Sequence, residues 1–438
     1  METNQIQKKE IKKLFNNMNS KSDFLDLLNY TKSLIYGEKV FLFTEKQLNF
    51  YINIDRIRKV RDIKSYKTFK VKKKSGKTRT IHAPIKGIKE FQKCLNIILS
   101  TVYEPHKNAY GFVIGKSIVD NAKNHVSKNY VYNIDLKDFF PSIDAKRIWG
   151  RLTAKPFNLG TTQNRKQIAN MIKTICCTTM EVERLIDDVW STKTASVLPQ
   201  GSATSPILTN AICERLDYKL TKLSRHFGLD YSRYADDITF SSMHNTVTND
   251  EGKQEAIYER DSSFDKELRR IIGSQNFNIN EKKVRLQKRG YKQEVTGLIV
   301  NEKVNTPNYY IKELRHWIYF LESKSYDRAN ELFLKKYIKN RGEMYNAKPN
   351  MFMVIEGKLL YLKMVKGETN TTYLKLKSRF DRLAETSSTR ASYELKDYIS
   401  YNNVEEQNMS YNSDFNLIIE TIFKEGLEKA MNLYTSEK

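Results

Sequence analysis

Residues 231–240 read Tyr-Ser-Arg-Tyr-Ala-Asp-Asp-Ile-Thr-Phe, two short β-rich runs on either side of a tight Ala235-Asp236-Asp237 turn. Aspartate is a common turn residue, so the acid pair alone says little. A second acid changes that. Residues 130–136, YVYNIDL, form another β-rich run carrying Asp135 near its end, and Pro141 in the following DFFPSI stops the strand. An ionised carboxylate set against a hydrophobic strand is costly unless it is paired or metal-bound. Two such sites in one sheet can converge on two Mg²⁺ ions about 3.5–4 Å apart, which clamp the attacking and leaving oxygens of an in-line phosphoryl displacement. Magnesium prefers one or two protein carboxylates plus substrate phosphates, a demand that three acids meet.

The rest of the chain frames these acids. Its 438 residues carry 75 Lys and Arg against 51 Asp and Glu, a formal net charge of +24. At roughly 150 residues per domain, the length suits about two or three structural units. Hydrophobic residues at 39% and aromatics at 11% suffice for a buried core, which excludes wholesale disorder. No apolar run approaches the roughly 18 residues needed to span a bilayer. The N-terminal METNQIQKKEIKK lacks the apolar stretch of a secretory signal. Cys94, Cys176, Cys177 and Cys213 form neither a CxxC pair nor a ligand-like cluster, which argues against a disulfide framework or a structural zinc. The expectation is a soluble, cytosolic, strongly basic protein with a polyanionic partner, nucleic acid first and no membrane. Residues 64–89 concentrate the charge, with ten basic side chains, no acid, and Tyr66 and Phe69 interleaved. Their alternation predicts two strands joined at Ser75-Gly76 rather than a membrane-surface helix.

Helical spacing runs through residues 1–60 (Phe24, Leu27, Leu28, Leu34) and again at Ile88, Phe91, Leu95, Ile98, Leu99 and Val102. Residues 165–190 also read as helical. LPQGSATSPILTNAICERL, 198–216, predicts a loop entering a helix, with Ser205 as N-cap and Pro206 in the first turn. The polar stretch 241–261 reads as a flexible insertion. Phe264, Leu268, Ile271 and Ile272 mark another helix, VTGLIV at 295–300 a strand, and Ile311, Leu314, Trp317, Ile318 and Leu321 a helical region from about 309. Beyond about 386 the chain turns polar and Tyr/Asn/Ser-rich, then helical again, and no internal repeat is present.

YADD with its flanking strands, DLKDFFPSI upstream and LPQGSATSP between them resemble the ordered motifs of reverse transcriptases, over roughly residues 60–380. The resemblance implies an α+β right-hand polymerase. Residues 1–130 would form N-terminal helices and fingers, 131–304 the antiparallel palm with the polar insertion near 241–261, 305–385 a helical thumb, and 386–438 a C-terminal extension of unknown role. It implies RNA-directed DNA synthesis, with Asp135, Asp236 and Asp237 as the catalytic triad holding two Mg²⁺ ions, Mn²⁺ being a substitute. Lys73 and Arg79, in FKVKKKSGKTRTI, resemble the fingers residues that grip the incoming triphosphate, and two cations over an anionic leaving group make physical sense. Phe140 resembles the steric gate that excludes a ribose 2′-OH. Gln200, in LPQG, is similar to the residue lining the nucleotide sugar pocket, and Lys283, in NEKK, to a lysine that protonates the leaving pyrophosphate. Plainer readings stay open: a solvated charge run for Lys73 and Arg79, a core aromatic for Phe140, a loop hydrogen-bonder for Gln200.

Two further stretches resemble elements of retron reverse transcriptases: Asn121-Ala122-Lys123-Asn124-His125 their NAxxH element, and Val295-Thr296-Gly297 their VTG element. In retrons these are associated with recognition of a partner structured RNA. His and Asn can stack on or hydrogen-bond unpaired bases, and a glycine admits close backbone approach; a helix-facing Asn/His pair and a strand-terminal Gly are the plainer alternatives. IEGKLLYLKMVKGE, 355–368, resembles a thumb segment shared with other antiphage reverse transcriptases, where Gly357, Lys358, Lys363 and Lys366 would place basic groups along a helix tracking a duplex backbone. The leading expectation is a retron reverse transcriptase of the bacterial cytoplasm that copies a cognate structured noncoding RNA into DNA from dNTPs, in antiphage defence. One alternative is a non-retron defence enzyme making repetitive or untemplated cDNA. Another is a catalytically silent RNA-binding scaffold, against which the like-charge Asp236-Asp237 pair argues. An effector protein or a second copy of the chain stays open as a further partner. The stretches 241–261 and 386–438 have no counterpart in a minimal retron enzyme.

Overall fold

The computed structural model describes residues 4–53, 65–72, 78–186, 189–248, 252–341 and 349–386. It comprises two compact units, Met1–Lys70 with Thr80–Val304 and Val71–Arg79 with Asn305–Lys438. Residues 387–438, which include the Tyr/Asn/Ser-rich stretch, lie outside the described residues.

The first unit begins with helices α1 (Gln5–Asn17), α2 (Lys21–Tyr36) and α3 (Glu45–Ile52). Each starts at a polar N-cap, Asn4, Ser20 or Thr44, in a reciprocal capping box with Gln7, Asp23 or Gln47, so the first orphan N–H groups are satisfied locally. The hairpin of β1 (Tyr66–Lys72) and β2 (Thr78–Pro84) follows, its end at Val71–Arg79 being grouped with the second unit. Helix α4 (Lys86–Val102) buries Ile88, Phe91, Leu95, Ile98 and Leu99, the face its spacing predicts. The short α5 (Ile118–Lys123) leads to β3 (Tyr130–Asp135), then α6 (Ala145–Thr153) and α7 (Gln163–Cys176).

The expected helix over 165–190 ends early. Thr178–Ile186 and Val189–Val197 are antiparallel strands, β4 and β5. The cause is composition: Thr178, Thr179, Val182, Val189, Thr192 and Thr194 are β-branched, and such side chains lose rotamer freedom in a helix but fit a pleated strand. Helix α8 (Ser205–His226) starts at Thr204, one residue before the expected cap; Ser205 lies in its first turn and its Oγ donates to Pro199 O at 2.7 Å. Next come β6 (Asp230–Tyr234) and β7 (Asp237–Ser242), then β8 (Thr246–Thr248) and β9 (Gln254–Ala256), which pair as a small hairpin within the polar stretch. Helix α9 (Ser263–Ser274) and β10 (Arg285–Lys288) follow. Residues 295–300 are not one strand. β11 (Glu294–Val295) and β12 (Leu298–Ile299) are arms of a tight hairpin turning at Thr296 (φ 48°) and Gly297 (φ 82°), conformations a straight strand cannot contain.

A four-stranded antiparallel sheet, in order β10-β3-β7-β6, organises the unit. Its register assigns faces. Tyr132, Ile134, Tyr231, Ile238 and Phe240 are buried on one side, in one core with Leu216 and Leu220 of α8 and Phe264 and Leu268 of α9. Successive side chains alternate across a strand, so Asn133, Asp135, Ser232, Asp237, Thr239, Ser241, Arg285 and Gln287 fall on the other face. One face is a core; the other is mostly polar, with Val131 buried in it.

The second unit packs α10 (Asn308–Ser323), α11 (Tyr326–Arg341), α12 (Met351–Lys366) and α13 (Thr371–Thr386) around Leu314, Trp317, Ile318, Phe333, Ile355, Leu359 and Phe380.

Candidate active site

The β6–β7 hairpin closes on two residues. Tyr234 pairs with Asp237, which leaves Ala235 and Asp236 at the tip. Ala235 adopts φ 57°, where a Cβ meets backbone at a cost of roughly 1–2 kcal/mol. Buried groups hold it there. The fully buried Arg233 donates to both carboxylate oxygens of Asp217 on α8 (Nε to Oδ1 2.8 Å, Nη2 to Oδ2 2.7 Å), to Asn210 Oδ1 at 3.1 Å, and through Nη1 to Ala235 O at 3.1 Å. Tyr231 Oη donates to Asp217 Oδ1 at 2.7 Å. On the outer side, residues 108–111 run along β6: Arg233 N–H donates to Asn108 O at 2.9 Å and Tyr110 N–H to Arg233 O at 2.8 Å. Gly111 presses on the corner so closely that a Cβ there would lie 2.4 Å from Ala235 N. Sequence reasoning passed over Arg233, Asp217 and Gly111; a charged arginine inside an otherwise strand-like run was the available signal.

Asp135 is brought to this corner by the β3–β7 register, in which it is the direct partner of Asp237. Leu136 N–H donates to Asp236 O at 3.1 Å, so all three acids meet at one end of the sheet. Asp135 Oδ1 accepts from Asn280 Nδ2 at 2.9 Å and Oδ2 from Lys283 Nζ at 2.6 Å, while Asn280 N–H donates to Asp135 O at 2.8 Å. The Lys283 side chain is 56% exposed and serves as counter-charge to Asp135. Asp237 reaches the surface, yet its carboxyl is hemmed in by protein; that desolvation, with the charges of Asp236 and Asp135, pushes it up to about 7.

Among the described residues, no group of three or more His, Cys, Asp and Glu side chains, the acid triad included, is arranged to hold a metal ion by itself. The donor chemistry nevertheless fits a hard divalent cation that keeps part of its shell for water and substrate oxygens. The repulsion written into Asp237 is what such a cation would relieve. Two of the acids, Asp135 and Asp237, line a cleft of about 550 Å³ together with Asn133, Lys283, Thr296 and Gly297.

The other expected residues divide. Thr296 and Gly297 share the cleft with the acids, but Val295 is buried beneath them. Phe140 is half-buried, its ring 6.1 Å from that of Phe112, while Phe139 beside it is in the core. Gln200 is half-buried; its carbonyl accepts from His82 N–H at 2.8 Å, and Gly201 (φ 124°) approaches β2 so closely that a Cβ would lie 2.8 Å from His82 O. Arg79 is exposed on β2, and Lys73 lies outside the described residues.

Asn121, His125 and Lys358 are placed differently from the expectation. Asn121 and His125 are not open to an unpaired base: both are buried, and His125 has Nδ1 2.7 Å from Ser241 Oγ and Nε2 2.7 Å from Ser232 Oγ. Burial, with the Lys128 charge, pushes His125 down to about 3, which keeps the ring neutral, one nitrogen donating and the other accepting. Lys358 does not point along an outer helix face. Its Nζ lies 2.7 Å from Glu313 on α10 and over the Tyr310 ring, so charge pairing and stem burial draw it inward.

Residues 71–301 match the family model of reverse transcriptase (RNA-dependent DNA polymerase). The chain is similar to the Retron Mx65 reverse transcriptase of Myxococcus xanthus, 35% identical over 239 residues, which cover 55% of this chain and 52% of that one. It is similar to the Retron Ec86 reverse transcriptase of Escherichia coli, 31% identical over 261 residues, 58% of this chain and 70% of that one. The chain thus spans about half the length of the Mx65 protein and of the Retron Mx162 reverse transcriptase. Among solved structures, telomerase from Candida albicans with a TWJ fragment of telomeric RNA aligns over 94% of this chain and 67% of its own at 11% identity and a TM-score of 0.38, a likeness too slight to carry an argument.

Proposed function

Because the chain belongs to the reverse transcriptase family, on its retron branch, we propose that it synthesises DNA on a cognate structured noncoding RNA from dNTPs, as a retron-type enzyme of antiphage defence in the bacterial cytoplasm. One observation carries the reading: Asp135 faces Asp237 across β3–β7, with Asp236 on a strained corner beside them and a cleft in front.

Reverse transcriptases use divalent cations. In this reading Asp135, Asp236 and Asp237 hold two Mg²⁺ ions, with Mn²⁺ as a substitute. When bound, the ions supply Lewis acidity to the attacking hydroxyl and positive charge to the departing pyrophosphate. The remaining work falls to the chain, and it is mainly positioning and charge stabilisation. The attacking group is a primer 3′-OH, or a 2′-OH where synthesis starts on RNA. The turn at Thr296 and Gly297 presents backbone to the primer strand across the cleft. Lys283 Nζ, on its half-exposed side chain, holds the proton that the pyrophosphate takes. Arg79 and Lys73 grip the triphosphate, Gln200 lines the sugar pocket, and the Phe140 ring blocks a ribose 2′-OH. Residues 305–385 serve as thumb.

The test is to purify the chain, sequence the nucleic acid that comes with it before and after RNase and DNase treatment, and measure Mg²⁺-dependent dNTP incorporation on a primed RNA. A branched RNA–DNA hybrid together with incorporation is the expected result. Long repetitive cDNA would replace the retron reading with the non-retron defence enzyme. RNA binding with no incorporation would leave a scaffold and overturn the polymerase reading.

A further inference from the structure

The β11–β12 hairpin has two residues per strand, far too few to hold itself in place. It is held from two sides. On the first, the side-chain amide of Gln287, from edge strand β10, accepts from Glu294 N–H at 2.8 Å and donates to Glu294 O at 3.0 Å. One amide thereby stands in for a neighbouring strand. The same amide donates to Asn133 Oδ1, and Asn133 Nδ2 donates to Thr239 Oγ1 at 3.1 Å. A row of side-chain hydrogen bonds therefore crosses the polar face of the sheet, from β7 through β3 and β10 to the hairpin.

On the second side the hairpin rests on the segment around α5. Thr296 Oγ1 donates to Ile118 O at 3.4 Å, and Ser127 N–H to Val300 O at 3.0 Å. That segment is in turn bolted to the sheet by His125, which bridges Ser232 on β6 and Ser241 on β7. Both routes start on the sheet that carries the acids and end on the hairpin whose turn lines the cleft with Asp135 and Asp237. Neither Gln287 nor His125 lines the cleft.

We infer that Gln287 and His125 are positioning residues that set the Thr296-Gly297 turn against Asp135 and Asp237, and through it the end of the primer strand. The 121–125 element acts as an internal brace for the 295–297 element, and the two form one frame. This inference rests on the polymerase reading. It adds that correct seating of the primer end is fixed by a hydrogen-bonded frame behind the turn, out of reach of the nucleic acid.

The experiment uses the full chain with a DNA primer annealed to an RNA template, and compares Gln287→Met, His125→Ala, their double variant and Phe264→Leu. Phe264 packs on the opposite face of the sheet, so its variant lowers the melting temperature without touching the frame. Misplacement by a fraction of an ångström should raise the KM for primer–template on the order of ten- to a hundredfold in each frame variant, with the dNTP KM within about twofold of the unaltered chain. The double variant should be little worse than the worse single one, because both act on the same turn. Should His125→Ala fail to fold, Gln287→Met carries the comparison alone. Equal changes in both KM values, or changes no different from those of a Phe264→Leu variant of matched stability, overturn the inference and leave the polymerase reading standing. No incorporation by the unaltered chain overturns both.

Discussion

The acidic corner and the segment around His125 lie on the same face of one sheet, yet they are built on opposite principles. At the corner, three carboxylates converge on a strained turn, and local desolvation, with the charges of Asp236 and Asp135, lifts Asp237 to about 7. At His125 both ring nitrogens are bonded, the ring is fully buried, and burial with the Lys128 charge lowers it to about 3. The corner keeps an electrostatic debt that a bound cation can relieve; the histidine has no capacity left for a ligand. Side-chain chemistry made both look functional in the sequence. Availability separates them, and availability is a property of the fold.

The contrast can be broken. The largest effect should come from Asp135→Asn or Asp237→Asn, which should lower dNTP incorporation by at least about a thousandfold; in Asp237→Asn the melting temperature should hold or rise, since a like charge is removed, whereas Asp135→Asn also takes the counter-charge from Lys283. Activity lost only in proportion to stability would put the corner in the same class as His125. Next, His125→Ala leaves a cavity and two serines without their partner, and should cost about 2–4 kcal/mol in urea unfolding; a loss below about 0.5 kcal/mol would mean the brace is slack. Phe140→Ala should weaken discrimination against ribonucleotides roughly ten- to a hundredfold, read as the ratio of kcat/KM for dNTP and rNTP. Unchanged discrimination would return Phe140 to the core beside Phe139.

The smallest effect is in pH. The folded pKa of Asp237 lies above that of an unfolded carboxylate, so its contribution to stability is complete below about pH 4 and is lost as pH rises toward 7. A cation competes with that proton. The rise in melting temperature on adding Mg²⁺ should therefore be larger at pH 8 than at pH 5.5, and the difference should shrink in Asp237→Asn. Equal rises at both values would contradict a cation on this carboxylate.

The corner was legible because its signals are local: strand, two-residue turn, strand, and a second strand ending in an acid. What lay between the elements was not. Asn133, Thr239 and Gln287 are unremarked polar residues until the β10-β3-β7 register sets them side by side. His125 could be read as buried only if Ser232 and Ser241 were known to lie beneath it. The strand at 178–186 was misread because Val182 and Ile186 fit a helix face as well as a strand, although Thr178, Thr179, Thr192 and Thr194 carried the contrary signal. The 295–300 run hid a turn because Val295 on one side and Leu298, Ile299 and Val300 on the other make it read as a continuous strand.

The contact between Gly111 and Ala235 has a consequence for heredity. Two codons far apart in the message have become one evolutionary character, since a single methyl added at the first displaces the backbone of the second. A lineage cannot drift at position 111 and keep the corner where it is, so recombination between distant relatives should succeed when a crossover carries both sites together and fail when it parts one relative's loop from the other's hairpin.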